Sequence, residues 1–160
     1  MAQQHPWSRY VALGDSFTEG IGDPEPRSAG GHRGWADRVA EVLSGKTDDF
    51  AYANLAIRGR LLQQIIDEQV EPALKLRPDL ITISAGGNDI IRPGTDPDEI
   101  AGRLEDTVNR LRSDGATVIL VEQSVNLALT VADRAYFMEK GEIRFEGPAA
   151  ELLERPDLLR

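Results

Sequence analysis

Ser16 stands where the apolar run Tyr10-Val11-Ala12-Leu13 meets Gly14-Asp15. A serine hydroxyl at the mouth of a buried strand is placed to attack a carbonyl carbon, given a base for its proton. The oxyanion that develops needs donors. Asn88 offers one, in Gly86-Gly87-Asn88-Asp89 directly after the apolar run Leu80 to Ser84. The amide of Gly59, four residues beyond Leu55, offers another. Together these are the parts of an acyl-transfer site. The base is the difficulty, because no histidine follows His32. His32 itself precedes a helix, beyond the Gly20 to Pro26 loop. Glu122, just past the run Thr117 to Val121, is the other candidate for a weak base. Each residue has a plainer reading as well: serine and Gly-Gly-Asn-Asp are common turn chemistry, and a strand-end glutamate is usually solvated.

The elements that must position these groups follow from periodicity. Tyr10 to Leu13, Phe50 to Leu55, Leu80 to Ser84 and Thr117 to Val121 read as strands. Between them Trp35, Val39, Val42 and Leu43 have helical spacing, with Gly45 as a plausible end. Leu61, Leu62, Ile65, Ile66 and Val70 form a second stripe, with Pro72 disturbing its end. Asp96-Pro97-Asp98-Glu99 opens a third helix, as N-cap, first-turn proline and capping-box glutamate. Gly115 ends that helix. Val125 to Ala132 reads as helical, Lys140-Gly141 as a hairpin turn, and Gly147-Pro148 as the start of a last short helix carrying Leu152 and Leu153.

Alternating strands and helices predict a doubly wound α/β fold with a mainly parallel sheet and an antiparallel C-terminal edge hairpin. With strand order 2-1-3-4-5, strands one and three are neighbours. Ser16 and Asn88 then open into one crevice beyond the carboxyl ends of the strands. Glu122, past strand four, is expected to face it too.

Composition narrows the functional classes. The 160 residues suit a single domain, 1–160. With 18 basic against 27 acidic residues the net charge is −9, which lacks the electrostatic footprint of a nucleic-acid binder. Cysteine is absent, so disulfides and thiolate chemistry are excluded. The polar start of the chain and the lack of any span-length apolar run lead us to expect a cytoplasmic protein without membrane contact.

Three segments together carry a resemblance. Arg9 to Gly20, Asn54 to Gly59 and Gly86 to Asp89 resemble, in order, the first three blocks of the SGNH hydrolases, also called GDSL esterases and lipases. The resemblance covers roughly residues 8–119. It implies a three-layer, flavodoxin-like fold and a small ester substrate, with no cofactor or metal. It implies Ser16 as nucleophile, with the Ser16 and Gly59 N–H groups and the Asn88 side chain as the oxyanion hole. The family's last block, an aspartate three residues before a histidine, has no counterpart: Asp133 is followed by Arg134-Ala135-Tyr136, and Asp157 by Leu158-Leu159-Arg160. Weak or no ester hydrolysis is therefore expected.

The remaining residues resemble something else. Val121 to Asn126, Ala132 to Tyr136, Glu139 to Ile143 and Glu146 to Leu153 are similar to the C-terminal part of an ABC-transporter ATPase of the branched-chain amino-acid type. In that family Gln123 falls at the switch position that senses the nucleotide. A nucleotide site also needs a glycine-rich loop between strand and helix. The only candidate, Gly45-Lys46-Thr47, ends a helix instead. The chain thus looks like a chimera, SGNH-like over 1–119 and ATPase-like over 120–160. Three readings stay open: a weakened serine esterase, a non-enzymatic hybrid fold, and a nucleotide or transporter-partner module. A homodimer that buries Leu152, Leu153, Leu158 and Leu159 is the expected assembly.

Overall fold

A computed structural model describes residues 4–159. The chain divides into two compact units, Met1–Val121 and Glu122–Arg160.

The first unit is built on a four-stranded parallel sheet, with strands β1 (Arg9–Gly14), β2 (Ala51–Asn54), β3 (Leu80–Ser84) and β4 (Thr117–Leu120) in the order β2-β1-β3-β4. The neighbouring of β1 and β3 is thus as expected. The register pairs Gly14 with Ser84 and Ala12 with Asn54, which brings the carboxyl ends of three strands level. Asp79 sets the other end. Its carboxylate accepts from Ser8 N, Ser8 Oγ and Arg9 N at 2.9, 3.0 and 2.9 Å, and so aligns the start of β1 with the start of β3.

Helices α1 (Ser16–Glu19) and α2 (Trp35–Ser44) follow β1. The segment after β2 is α3 (Leu62–Ile65), a wide π turn (Ile66–Val70) and α4 (Glu71–Lys75). After β3 come α5 (Gly87–Ile90) and the long α6 (Pro97–Ser113). Right-handed crossovers put α2 on one face and α3–α4 with α6 on the other. On the α2 face Tyr10, Ala12 and Leu80 pack with Ala36 and Ala40, flanked by Trp35, Phe50 and Tyr52. Val11, Leu13, Ile81 and Ile83 alternate to the opposite face. There Leu62, Ile65, Val70, Leu104 and Leu111 are buried. The result is the expected three-layer arrangement.

One local expectation is refined and another corrected. Pro72 disturbs its helix as expected, through a wide turn just before it, yet helical backbone runs on to Lys75. Proline lacks an N–H and its ring crowds the carbonyl one turn earlier. The wide turn immediately before it shifts the bonding register and relieves both problems. Asp96 caps α6 by accepting from Asp98 N at 3.0 Å, but Glu99 does not close a capping box. Its carboxylate pairs instead with Arg103 one turn on.

The second unit holds α7 (Val125–Val131), the strands β5 (Arg134–Glu139) and β6 (Glu142–Pro148), and α8 (Ala149–Leu153). Lys140 and Gly141 both have positive φ, 51° and 83°. That is the two-residue turn whose twist suits an antiparallel hairpin. The predicted hairpin is present and forms a two-stranded sheet of its own. Leu152 is buried, contrary to its expected availability for a partner; Leu153 is exposed. Leu152 is held inside by its own unit, where α8 packs against both strands. Among the described residues, no helix is long and apolar enough to cross a membrane.

Candidate active site

The chain reaches Ser16 through a tight corner. Gly14 closes β1, and Asp15 caps α1 by accepting from Phe17 N at 3.2 Å. Ser16 is therefore the first residue of α1 and is half-buried. Gly20, left-handed at φ 91°, ends that single turn.

Asn88 and Gly59 are brought to the same corner. Asn88 Nδ2 donates to Arg60 O at 3.1 Å and to Asp15 Oδ2 at 3.3 Å. It thus bridges the residue after Gly59 and the residue before Ser16. The Gly59 loop is laced to the Ser16 segment twice more. Ile57 N donates to Gly14 O at 3.2 Å, and Arg58 N to Glu19 Oε2 at 2.6 Å. The Arg58 guanidinium also pairs with Glu19, at 2.9 Å. Gly59 has φ 75°, the left-handed conformation that glycine adopts without strain. Asn54 braces the same corner, donating to Thr18 O at 2.9 Å and accepting from Ala56 N at 3.0 Å. Asp89, next to Asn88, turns away and caps α3 by accepting from Leu62 N at 2.8 Å.

The electrostatics follow from these contacts. Burial pushes the Asp15 carboxyl above its ordinary value; the Phe17 N–H offsets part of this, and the nearby Asp89 carboxylate adds to the rise. The Arg58 guanidinium holds Glu19 below the usual carboxylate range. Among the described residues, the Ser16 and Gly59 N–H groups are bonded to no protein acceptor.

Of the two base candidates, His32 lines a different cleft, away from Ser16. His32 sits in a short antiparallel bridge with Pro24 and lines a cleft of about 310 Å³ between α2 and β2, with Asp37, Phe50 and Tyr52. Ser16, Gly59 and Asn88 are not in its lining. A larger cleft, about 360 Å³, lies along Glu25, Arg27, Ser28 and Arg33, also away from Ser16. Glu122 opens the second unit. Its Oε1 accepts from Gln123 N and Ser124 N at 2.8 and 2.9 Å, which fixes the turn leading into α7. Ser16 Oγ has no hydrogen-bond partner among the described residues. Gly45 is the C-cap of α2 and Thr47 Oγ1 contacts His5 Nε2 at 3.1 Å, so Gly45-Lys46-Thr47 belongs to a helix end.

Sequence reasoning missed Gln69. It is buried, and its side chain bonds both polar groups of Gly14. The signal was there: Gln69 lies four residues after Ile65 and four before Ala73, on an otherwise apolar face.

The model of the GDSL-like Lipase/Acylhydrolase family matches residues 12–151, and the chain belongs to that family. Solved structures of similar fold include the esterase EstA from Pseudoalteromonas sp., at TM-score 0.56 and 18% identity over 71% of this chain and 58% of that one. A catalytic mutant of Axe2, an acetylxylan esterase from Geobacillus stearothermophilus, superposes at TM-score 0.59 and 20% identity, over 75% and 61% of the two chains. At that identity the likeness is one of fold. Curated relatives match shorter stretches. The branched-chain amino acid transport ATP-binding protein BraG of Pseudomonas aeruginosa is 44% identical over 57 residues, 36% of this chain and 24% of its own. The uncharacterized protein YpmR of Bacillus subtilis is 34% identical over 90 residues, 51% of this chain and 32% of its own. The chain thus spans about a quarter to a third of the length of these curated relatives.

Proposed function

We propose that the chain is a serine-esterase scaffold whose acyl-transfer site, at Ser16, hydrolyses small esters slowly. One observation carries the reading: the Asn88 amide bridges the Ser16 corner and the Gly59 loop, whose Ser16 and Gly59 N–H groups have no protein acceptor among the described residues. Ser16 Oγ would attack the ester carbonyl as solvent water takes its proton. The three donors would hold the oxyanion until the alkoxide leaves and is protonated by water. A second water would then cleave the acyl-serine to release the acid. A base of the Asp-x-x-His kind is absent from these 160 residues. Without it, the oxyanion donors and binding still supply roughly 10³–10⁴-fold over water in serine hydrolases stripped of their triad.

The test is p-nitrophenyl acetate hydrolysis by wild type and Ser16→Ala, both shown to be folded. A rate that disappears in the variant supports the esterase reading. Equal rates would reduce the protein to a non-enzymatic α/β scaffold.

The matches to transporter ATP-binding proteins over part of the chain favour a second reading, that of a fusion. In it an SGNH-like front, 1–119, continues into an ATPase-like tail, 120–160, as one folded domain. A nucleotide role for the tail predicts a rise in melting temperature with Mg-ATP, since a ligand that binds the native state stabilises it. No such rise is expected.

The same reading places the protein in the cytoplasm, without nucleic-acid or membrane partners. It extends to assembly as well. Tyr136, Met138, Ile143 and Leu153 are exposed in the second unit, and a second copy would bury them. Sedimentation is expected to give twice the chain mass of 17.6 kDa; a monomer would remove the dimer.

A further inference from the structure

Gln69 is 1% exposed and sits in the wide turn Ile66–Val70. Its Oε1 accepts the Gly14 N–H at 2.9 Å, and its Nε2 donates to Gly14 O at 2.9 Å. One carboxamide thus closes on both polar groups of one residue, as an adjacent strand would. Gly14 O also accepts from Ile57 N at 3.2 Å, two residues before Gly59. The space left around Gly14 is full: a Cβ there would lie 2.7 Å from both Ser84 O and Thr18 Oγ1. Gly14 is therefore held from several sides, two residues before Ser16.

Burying a long polar side chain costs rotamer freedom and hydration. An apolar residue at position 69 would suit the face that Ile65 and Ala73 share. A glutamine is useful there for what its amide does to Gly14. We infer that Gln69 is a positioning residue for Ser16. Its carboxamide sets the direction in which β1 enters the corner, and with it where the Ser16 hydroxyl and N–H point. The inference rests on the reading of Ser16 as nucleophile.

Gln69→Glu tests it in the full chain. The substituted carboxylate keeps the size and still accepts from Gly14 N, but it turns a second acceptor toward Gly14 O. Burial raises its pKa, and on protonation it becomes a donor again. The readout is the rate at which a fluorophosphonate labels Ser16, located by mass spectrometry, against wild type. Near pH 8 the variant is expected to label about tenfold more slowly, the scale of one buried hydrogen bond. The variant-to-wild-type ratio should climb as the pH is lowered toward about 5, where a buried carboxyl is protonated. Asp15, Asp89 and the other acidic groups of this corner are common to both proteins, so their contribution cancels in that ratio. A ratio near one throughout, or one that is depressed and flat with pH, overturns the inference.

If wild type labels no better than Ser16→Ala, the esterase reading fails by itself. Hydrogen exchange then decides the positioning role. The Glu19 and Gly20 amides, bonded to Asp15 O and Ser16 O, should exchange faster in the variant while those of α6 do not. An equal change in α1 and α6 would mean a global loss and would overturn the inference. Gln69→Met, which has no charge, gives the same comparison should the glutamate variant fail to fold.

Discussion

Asn88 gives one side-chain hydrogen to Arg60 O and the other, at 3.3 Å, to Asp15 Oδ2. The second bond is long, and its acceptor is a carboxyl that burial pushes toward its neutral form. A substrate oxyanion, fully charged, is the better acceptor and would draw that hydrogen away. Truncation to alanine removes the bridge between two loops and, on the proposed mechanism, an oxyanion donor. Asn88→Ala is expected to lower the Ser16-dependent rate about 10²-fold, the cost of deleting one such donor. The rate constant for p-nitrophenyl acetate checks this, with an unchanged rate as the contrary result. Glu19 and Arg58 act differently, since Arg58 is well exposed and the ion pair shares its work with solvent. The firmer link is the backbone bond from Arg58 N to Glu19 Oε2, which ties the residue before Gly59 to α1.

At the scale of elements, Asp79 is the group whose loss would be felt across the sheet. Burial opposes its charge, but the Ser8 and Arg9 N–H groups and the Ser8 hydroxyl outweigh it and hold its carboxyl below the ordinary 3.8. A depressed carboxyl stabilises the fold above its unfolded pKa, and that stability is lost as pH falls through the folded one. Asp79→Ala should therefore cost roughly 2 kcal/mol near neutrality, from donors left without their acceptor. The gap to wild type should begin to narrow as pH falls below the unfolded carboxyl's value, about 3.9, and close as it passes the lower folded value, where the native carboxylate is protonated. Urea unfolding at the two pH values measures both. A gap independent of pH would mean that Asp79 acts through packing alone. The α3–α4 segment makes a related point. Its wide turn answers to Pro72 on one side and delivers Gln69 to Gly14 on the other, so an irregularity in a helix braces the corner that carries Ser16.

The whole molecule divides unevenly. The first unit has a sheet covered on both faces and most of the buried apolar residues. The second, Glu122–Arg160, lies below the roughly 40 residues at which a core begins to suffice without staples. It buries Leu127, Ala149 and Leu152 and leaves Tyr136, Met138 and Ile143 exposed. Local stability follows the density of buried contacts. Amides of β5 and β6 are thus expected to exchange faster than those of β1 and β3 in a hydrogen-exchange time course. Uniform protection across both units would show that the chain unfolds as one cooperative body.

Much of this was legible in the residues themselves. Alternating apolar runs and helical stripes specify strands and helices, because burial of one face imposes a period on the chain. Lys140-Gly141 specifies its hairpin, because a two-residue turn demands left-handed backbone. Gly14-Asp15-Ser16, Gly59 and Asn88 point to one site because strands one, two and three must end on the same edge. Other features depend on partners far apart in the chain, and local pattern does not encode those. Gln69 reads as a polar break in an apolar stripe until Gly14, 55 residues earlier, closes on its amide. Asn88 becomes a bridge only when Asp15 and Arg60, 73 and 28 residues away, meet across it. His32 is close to the Ser16 block in sequence yet faces the α2 cleft, because the loop that carries it is pinned by the Pro24 bridge. The sequence by itself determined the elements and the chemical groups at their ends. The tertiary structure decided which of those groups share a corner, because hydrogen bonds between distant residues are chosen by packing and not by spacing along the chain.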